Sequence, residues 1–420
     1  MKVHSKQITI YIILASLTLI FPLLFAFRGF PEIYFGSDFG LTKLLRYLAL
    51  VMSLLCLIII NFRVKNELFL YSFSVTTLLI LNYMLSDYAS LKWLFNWVAC
   101  IVIFTSVGSV IARFNDFEME RFDYFFKKII LFLIATLTLL VLGVWLDNID
   151  NLISFTLNSH YNGSIALLTS GFGVHKQPLG IFLGIVILWS LMSWKNLNYL
   201  EKSLIFSLLI MLMPMIIGIR TLYLGLGLLG FLLVIYKNKL RVALGFFSLP
   251  FILIFLFFYQ NDVLVFIHDY YNRWPSLLAA FDVLMDSPYG IGNGGYSIYV
   301  ENNNNWLLAE YGSEAMNKKG LFWLAPESDL VFFIASWGYF SVFFFGFFAV
   351  LTSRALYCLR HKKLKLLPVE RVFLAFTVTL IFMGISQDNA GGLTWWIYLG
   401  VTVGILLRHK HVRYYIPDKA

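Results

Sequence analysis

Apolar runs of about 20 residues recur along almost the whole chain, and no other feature limits its folding so tightly. Such a run as a helix covers roughly 30 Å, the hydrocarbon thickness of a bilayer. In lipid every backbone N–H and C=O must be paired within the chain, so only helices or closed barrels are permitted. A barrel needs alternating segments of about ten residues, and the runs here are unbroken. With 60% hydrophobic residues, 42 of the 420 being Phe, and only 13% charged, the chain has too little polar surface for a soluble domain. The expected fold is an all-α polytopic membrane protein, a single membrane domain over residues 1–420.

Twelve spans are predicted, near 7–27, 43–61, 68–85, 92–112, 127–146, 175–194, 203–219, 221–236, 240–259, 328–353, 371–386 and 392–407. Residues 203–236 as one helix would reach about 50 Å, too long for one crossing. Lys202 and Lys237 close the two ends and Arg220 lies near the middle. Two short helices joined by a turn at Gly218–Thr221 satisfy both facts. With both termini cytoplasmic, 23 of the 32 Lys and Arg residues fall on the inner side, in keeping with the positive-inside rule. The clusters at Arg113–Lys128, Lys237–Arg241, Arg354–Arg371 and Arg408–Lys419 are all inner. The net charge of +9 is thereby explained as a topology signal, and nucleic acid is not implied. The first run is long and ends in Phe27-Arg28 without a small-residue cleavage site, so it is expected to be a retained helix. Cys56, Cys100 and Cys358 suggest no disulfide framework.

Two outer segments stand out. One is Asp147–Val174, with His160. The other is 260–327, the main outer loop and the only long hydrophilic stretch. Within it Trp274, Leu277, Leu278, Phe281, Leu284 and Met285 share one helical face, with Pro275 in the first turn and Pro288 beyond the end. This predicts an amphipathic helix lying on the membrane or over a cavity. GIGNGGY (290–296) follows as a glycine-rich turn, then the polar run ENNNNW (301–306). GIGNGG lacks the Lys-Ser/Thr ending and preceding strand of a phosphate-binding loop.

Group transfer on an outer membrane face has no nucleoside triphosphate to draw on. It needs a pre-activated donor such as a lipid-diphosphate sugar, cations to hold the diphosphate, and a base for the acceptor hydroxyl. Arg220, in its apolar run, and Arg273, before the amphipathic helix, are the candidate diphosphate ligands. The blander readings are snorkelling for Arg220 and plain surface charge for Arg273. His175 and Lys176 open the sixth span and are further candidates, or interfacial anchors. Glu327, after Pro326, is the candidate base, and Asp329 a supporting carboxylate; both also suit a helix start through the dipole alone. Tyr296 and His268 are weaker supporting candidates, and His160 is a lone loop histidine. Gln387, Asp388 and Asn389 read first as a helix cap. No Cys/His cluster has zinc spacing, so no metal and no cofactor are expected.

Three stretches resemble the polysaccharide polymerase and O-antigen ligase superfamily of bacterial inner-membrane proteins, over roughly 170–400. GFGVHKQPLGIFLG (171–184) is similar to the family's opening of a middle span. GIRTLYLGLG (218–227) is similar to its Arg-broken apolar run, with Ile219 in the usual Ser place. RWPSLLAAFDVLMDSPYGIGNGGY (273–296) resembles the Arg, amphipathic helix, Pro, Gly-x-Gly order of its periplasmic loop, and ESDLVFFIASWGYF (327–340) continues the match. Ligases carry His where Glu327 stands, then Gly where Gly338 stands, which favours a Wzy-type polymerase here.

The resemblance implies a GT-C-like glycosyltransferase of the inner membrane, facing the periplasm. It would take an undecaprenyl-diphosphate-linked glycan as both donor and acceptor, without nucleotide sugar or obligatory metal. A chain-length regulator and a flippase are the implied protein partners. The rival readings are an O-antigen ligase, an O-oligosaccharyltransferase, and, from other classes, a lipid-linked oligosaccharide flippase or a membrane scaffold. Transporters often show repeated halves, and the two halves here show no similarity.

Overall fold

A computed structural model describes residues 2–26, 41–59, 61, 63–86, 90–147, 176–211, 220–235, 274–292, 295, 296, 299, 328–361, 364–384 and 392–410. Among these residues the chain is helical, without strands. Lys2–Ala15 (α1) passes through a π-helical stretch, Ser16–Ile20, into Phe21–Ala26 (α2). There follow Leu41–Ile59 (α3), Asn66–Leu85 (α4), Leu91–Ile111 (α5), Asp116–Asp147 (α6), Lys176–Ser193 (α7), Tyr199–Met211 (α8) and Arg220–Ile235 (α9). Trp274–Asp286 (α10), Asp329–Trp337 (α11), Ser341–Arg360 (α12), Pro368–Met383 (α13) and Leu393–Arg408 (α14) complete the set.

Among the described residues six helical segments are long and apolar enough to cross a membrane: Ile8–Ala26, Asn66–Leu85, Leu91–Ile111, Asp116–Gly143, Leu179–Asn196 and Asp329–Arg360. Leu44–Ile59 and Leu393–Arg408 are shorter apolar helices. Predicted spans 203–219, 221–236 and 371–386 fall on α8, α9 and α13, of 13, 16 and 16 residues. The predicted span 240–259 lies outside the described residues. Large apolar side chains such as Leu70, Phe73, Phe132, Leu139 and Phe231 are exposed on the outside of the helices, as a lipid-facing surface requires and a water-facing one does not.

The bundle is tightest where α5 meets α14. Gly400 and Gly404 are spaced as G-x-x-x-G on α14 and face Gly108 on α5. A Cβ on Gly404 would stand 2.7 Å from the Gly108 carbonyl, so these small residues let the two backbones touch. Trp97 of α5 is buried among Phe332, Phe333, Trp337, Phe344 and Trp396, with ring centroids 5.2–6.3 Å away. Such aromatic contacts add about 0.5–1.5 kcal/mol each beyond the area they bury. Two pairs of polar groups tie this core together. Thr377 and Thr402 share a hydrogen bond of 2.7 Å between α13 and α14, and the Tyr398 hydroxyl donates to the Thr18 carbonyl inside the π-helical stretch at 2.8 Å. A π-turn lengthens the internal ladder, and an outside donor suits the carbonyl it displaces.

At one end of the bundle the charged helix ends are bonded together. The Arg408 guanidinium meets Glu370 and Asp116 and donates from Nε to the Phe114 carbonyl at 3.0 Å. Glu370, fully buried, also accepts from the Leu367 N–H at 2.8 Å and lies 2.9 Å from His409 Nε2. Lys410 binds Glu67 at 2.6 Å, and Lys127 binds Glu201 at 3.0 Å. The starts of α4, α6, α8 and α13 and the finish of α14 therefore share this basic end. It gathers residues from the segments Arg113–Lys128, Arg354–Arg371 and Arg408–Lys419 that the charge bias assigns to one side.

Two helices differ from expectation. α6 begins at Asp116, eleven residues ahead of the predicted span. Asn115 and Glu118 cap each other reciprocally, side chain to backbone N–H at 2.9 Å both ways, a capping box that starts the helix outside the apolar run. Asn198 and Glu201 repeat the device at the start of α8. The second difference is the predicted span 328–353, which is two helices broken at Gly338.

Candidate functional site

The break at Gly338 lies at the end of the bundle opposite the basic cluster. Ser328 caps the start of α11, its hydroxyl accepting from the Val331 N–H at 3.2 Å. The helix is almost wholly buried, and it stops after nine residues at Gly338, whose φ of +53° is left-handed. An interrupted helix leaves carbonyls that must find donors elsewhere. The glycine-rich turn supplies them. The Ile291 N–H donates to the Ala335 carbonyl at 3.0 Å, and Gly292 N–H to that of Ser336 at 3.1 Å. In return Tyr339 N–H donates to the Pro288 carbonyl at 2.8 Å. From α4, the Asn82 amide donates to Ser336 at 2.9 Å and to Tyr289 at 2.8 Å.

Glycine is needed on both sides of this junction. Gly290 has φ +82°, and a Cβ there would lie 2.4 Å from the Ser336 carbonyl oxygen. A Cβ on Gly338 would lie 2.1 Å from that of Pro288. L side chains disfavour these backbone angles, and the contacts leave no room for one. The described part of GIGNGGY thus serves as the cap of a broken helix.

The amphipathic helix is present as α10, with Leu284 of its predicted apolar face partly buried toward α11. Ala280 and Val283 are buried against α11, forming a small core with Ile291, Tyr296, Tyr299, Val331, Ile334 and Ala335. Phe281 and Met285 are exposed. The reason is size: short side chains allow α10 to approach α11 closely, while the bulky face is left for an apolar medium. Tyr299 donates its hydroxyl to Asp286 and ties the turn back to α10.

Asp329 starts α11 against the last residue of the neighbouring segment. Its N–H donates to the Gly384 carbonyl at 2.8 Å, and a Cβ on Gly384 would stand 2.1 Å from Asp329 Oδ2. The carboxylate is buried, 7% exposed, at the end of α13. α9 runs beside α13, with Gly225 against Thr379 and Met383. Arg220 is the first residue of α9, five residues before Gly225. Lys176 is the first residue of α7, whose Gly184 lies against Phe376 of α13 and Leu222 of α9. α8 starts at the basic end and follows α7 by five residues, so α7 begins at the opposite end, that of α11.

Of the sequence-predicted residues, Asp329 lies at this junction, Lys176 opens a helix that begins at the same end, and Arg220 opens α9, which packs beside α13. Tyr296 is buried in the α10–α11 core, as a packing residue. Glu327, Arg273, His175 and His268, with His160 and Gln387–Asn389, lie outside the described residues. Asn82, Ser336 and Gly384 were not singled out. An Asn inside an apolar run was a usable signal for the first, since polar groups at membrane depth need partners; nothing in the sequence marks the other two.

Helix starts carry unpaired N–H groups and the positive end of the helix dipole. At α11 these groups are already used, the Asp329 N–H by the Gly384 carbonyl and the Val331 N–H by the Ser328 hydroxyl, while α7 and α9 are each opened by a cation. No group of three or more His, Cys, Asp or Glu that could hold a metal occurs among the described residues.

No family model, curated protein or solved structure matches this chain. The long apolar helices and exposed apolar surface define its class as a helical membrane protein.

Proposed function

We propose that this protein is a polymerase of the Wzy type, GT-C-like and with twelve spans, joining undecaprenyl-diphosphate-linked repeat units of a surface polysaccharide. It sits in a bacterial inner membrane with both termini and the basic end cytoplasmic. The α10–α11 end and the loop 260–327 face the periplasm. The observation that supports this reading is the seat of α11: the helix that follows Glu327 begins on Gly384, and Gly225, five residues after Arg220, lies against Met383 at the end of the same α13 segment. Arg220, a cation for the diphosphate, thereby opens a helix packed on the one whose end seats the start of α11.

Arg220 and Arg273, helped by His175 and Lys176, hold the diphosphate of the growing chain. Arg matches phosphate oxygens with two parallel bonds and stays charged in an apolar setting. Glu327 takes the proton of the acceptor hydroxyl on a second lipid-linked unit. That oxygen bonds to the anomeric carbon, and the bond from that carbon to the diphosphate oxygen breaks with inversion. Undecaprenyl diphosphate leaves, and Asp329 supports the charge balance at the helix start.

Reconstitution of the full chain with a lipid-linked repeat unit, read on a gel resolving chain length, tests this. A ladder is expected. Single transfers to a lipid A-core acceptor would mark a ligase, and movement of the lipid across the bilayer without a new bond a flippase.

A further inference from the structure

α11 lies across the bundle and not along it. Arg408 and Lys410, at and just past the finish of α14, bind Glu370 and Glu67, so the starts of α13 and α4 stand level at the basic end. From there the rise along α13 to Gly384 is about 21 Å, and the rise along α4 to Asn82 is about 22 Å. Gly384 accepts the N–H of Asp329 at the start of α11, and Asn82 donates to Ser336 near its finish. Both ends of α11 therefore stand at one height. The crossing is left to α12, whose 20 residues cover about 30 Å by themselves.

The two faces of α11 have different neighbours. Phe332, Phe333 and Trp337 meet Trp97 in the aromatic core. Trp97 stands about 18 Å along α5 from Ser109, which accepts from the Lys65 N–H at the basic end. That face of α11 therefore looks toward the basic end. Val331, Ile334 and Ala335 share the opposite face and carry Ala280 and Val283 of α10. α10 is thus stacked on the far side of α11. Packed helices lie about 8–10 Å apart, which puts α10 about 30 Å from the basic end, the thickness of the hydrocarbon layer.

At that height the remaining sides of α10 divide. Phe281 and Met285, one turn apart, form a bare apolar side, with Met285 78% exposed. Asp282 and Asp286, also one turn apart, form an acidic side, where exposed Asp286 accepts from the Tyr299 hydroxyl. One side on protein, one apolar and one charged is the cross-section of a helix lying in a membrane–water boundary. A cavity lid would turn its bulky side inward, whereas here the small residues face α11.

We propose that α10 is an interfacial helix of the leaflet opposite the basic end, docked on α11 by Ala280 and Val283 and inserting Phe281 and Met285 among the acyl chains of that leaflet. This rests on the membrane placement of the bundle and is independent of the glycosyltransferase reading.

The test places bimane on introduced cysteines of the full-length protein in phosphatidylcholine vesicles. Cys56, Cys100 and Cys358 are buried, and wild type treated in the same way gives the background. Phe281→Cys and Met285→Cys are compared with Phe132→Cys, exposed in the apolar part of α6, and Glu120→Cys, exposed ahead of it. The quenchers are a phosphatidylcholine spin-labelled high on its acyl chain, and iodide on both sides of the membrane. An interfacial side enters the boundary by about 5–10 Å, so the lipid quencher should lower emission at positions 281 and 285 about twofold more than iodide does, as at Phe132. Iodide as the stronger quencher, as at Glu120, would overturn the proposal by placing this side in water. Protection from both quenchers would also overturn it, assigning the side to a protein partner. A label at Phe132 that lipid does not reach would instead remove the membrane placement, and the proposal with it. Should one of the two α10 variants misfold, the other decides, because both positions share one side of the helix.

Discussion

The Asn82 side chain of α4 donates to the Ser336 carbonyl at the end of α11 across 2.9 Å, and to the Tyr289 carbonyl of the glycine-rich turn across 2.8 Å. One amide thus fastens the broken helix and its cap to a helix more than 200 residues away. Asn82→Leu removes both donors. The Ser336 carbonyl keeps the Gly292 N–H, while Tyr289 loses its described partner; leaving a buried carbonyl short costs about 1–3 kcal/mol. A lower unfolding temperature in detergent, followed by tryptophan fluorescence, is expected. Asn82→Asp should be no better, because a carboxylate cannot donate. An unchanged midpoint for both would mean that the clamp is idle.

Glycines in the same segment should respond in opposite ways. Gly338→Ala places a Cβ on the Pro288 carbonyl and forces a left-handed angle on Ala, so little folded protein is expected. Gly346, in α12, has nothing within 4 Å of a built Cβ. Gly346→Ala should hold or raise stability, by up to about 1 kcal/mol from helix propensity. Fluorescence-detected size exclusion after heating would compare the two. Equal loss would contradict the geometry of the break.

The buried pair at the basic end predicts non-additive energies. Arg408→Leu leaves the fully buried Glu370 carboxylate without its guanidinium partner, and breaking such a pair costs about 3–5 kcal/mol. Adding Glu370→Gln to the Arg408→Leu variant should recover part of the loss, since the stranded charge is removed. Exposed Arg371→Leu should cost far less. Additive losses in thermal unfolding would show that Arg408 and Glu370 do not depend on each other.

How much of this was legible follows from what each residue's neighbours are. The apolar runs announced the helices, since lipid leaves the backbone one local solution, and the positions of Glu67, Asp116, Glu370 and Arg408 agree with the charge bias about which ends lie together. The early start of α6 was written in Asn115 and Glu118 but is easily passed over beside a longer apolar signal. The break at Gly338 was not legible. Hydropathy is continuous from Val331 to Phe348, and the interruption depends on Ile291, Gly292 and Asn82, which supply donors from other parts of the chain. The close contact of α10 with α11 was not legible for a related reason. Periodicity marks the larger side chains, whereas close helix contact selects Ala280 and Val283. At the candidate site Arg220 and Lys176 open helices that pack on α13, the helix whose end seats Asp329, and no local pattern reveals that packing.

Arg220 and Arg273 should act through shape as well as charge. Arg→Ala at either position is expected to abolish long-chain polysaccharide, and Arg→Lys to lower it markedly, because Lys keeps the charge without the two-pronged fork. Immunoblots of membrane protein alongside polysaccharide gels make the comparison. Normal chain length in both Ala variants would remove the diphosphate role.

Glu327 separates base chemistry from helix starting. Its chain neighbour Ser328 already caps α11 through its own hydroxyl, and Asp329 already places a carboxylate in the first turn. A further acid is therefore not needed to begin the helix, and Glu327→Gln should leave folding intact. As a base Glu327 must accept a proton from a sugar hydroxyl, and an amide of nearly the same shape cannot do so. The expected outcome is a stable, membrane-inserted variant that makes only single repeat units while the lipid-linked donor accumulates. Glu327→His should keep part of the activity, because an imidazole can also take the proton. Ser328→Ala offers the reverse comparison: loss of a cap costs about 1 kcal/mol of stability and leaves chain length per folded molecule unchanged. If Glu327→Gln polymerises at the wild-type rate, the base is another residue, and Asp329, His175 and His268 are the next to replace.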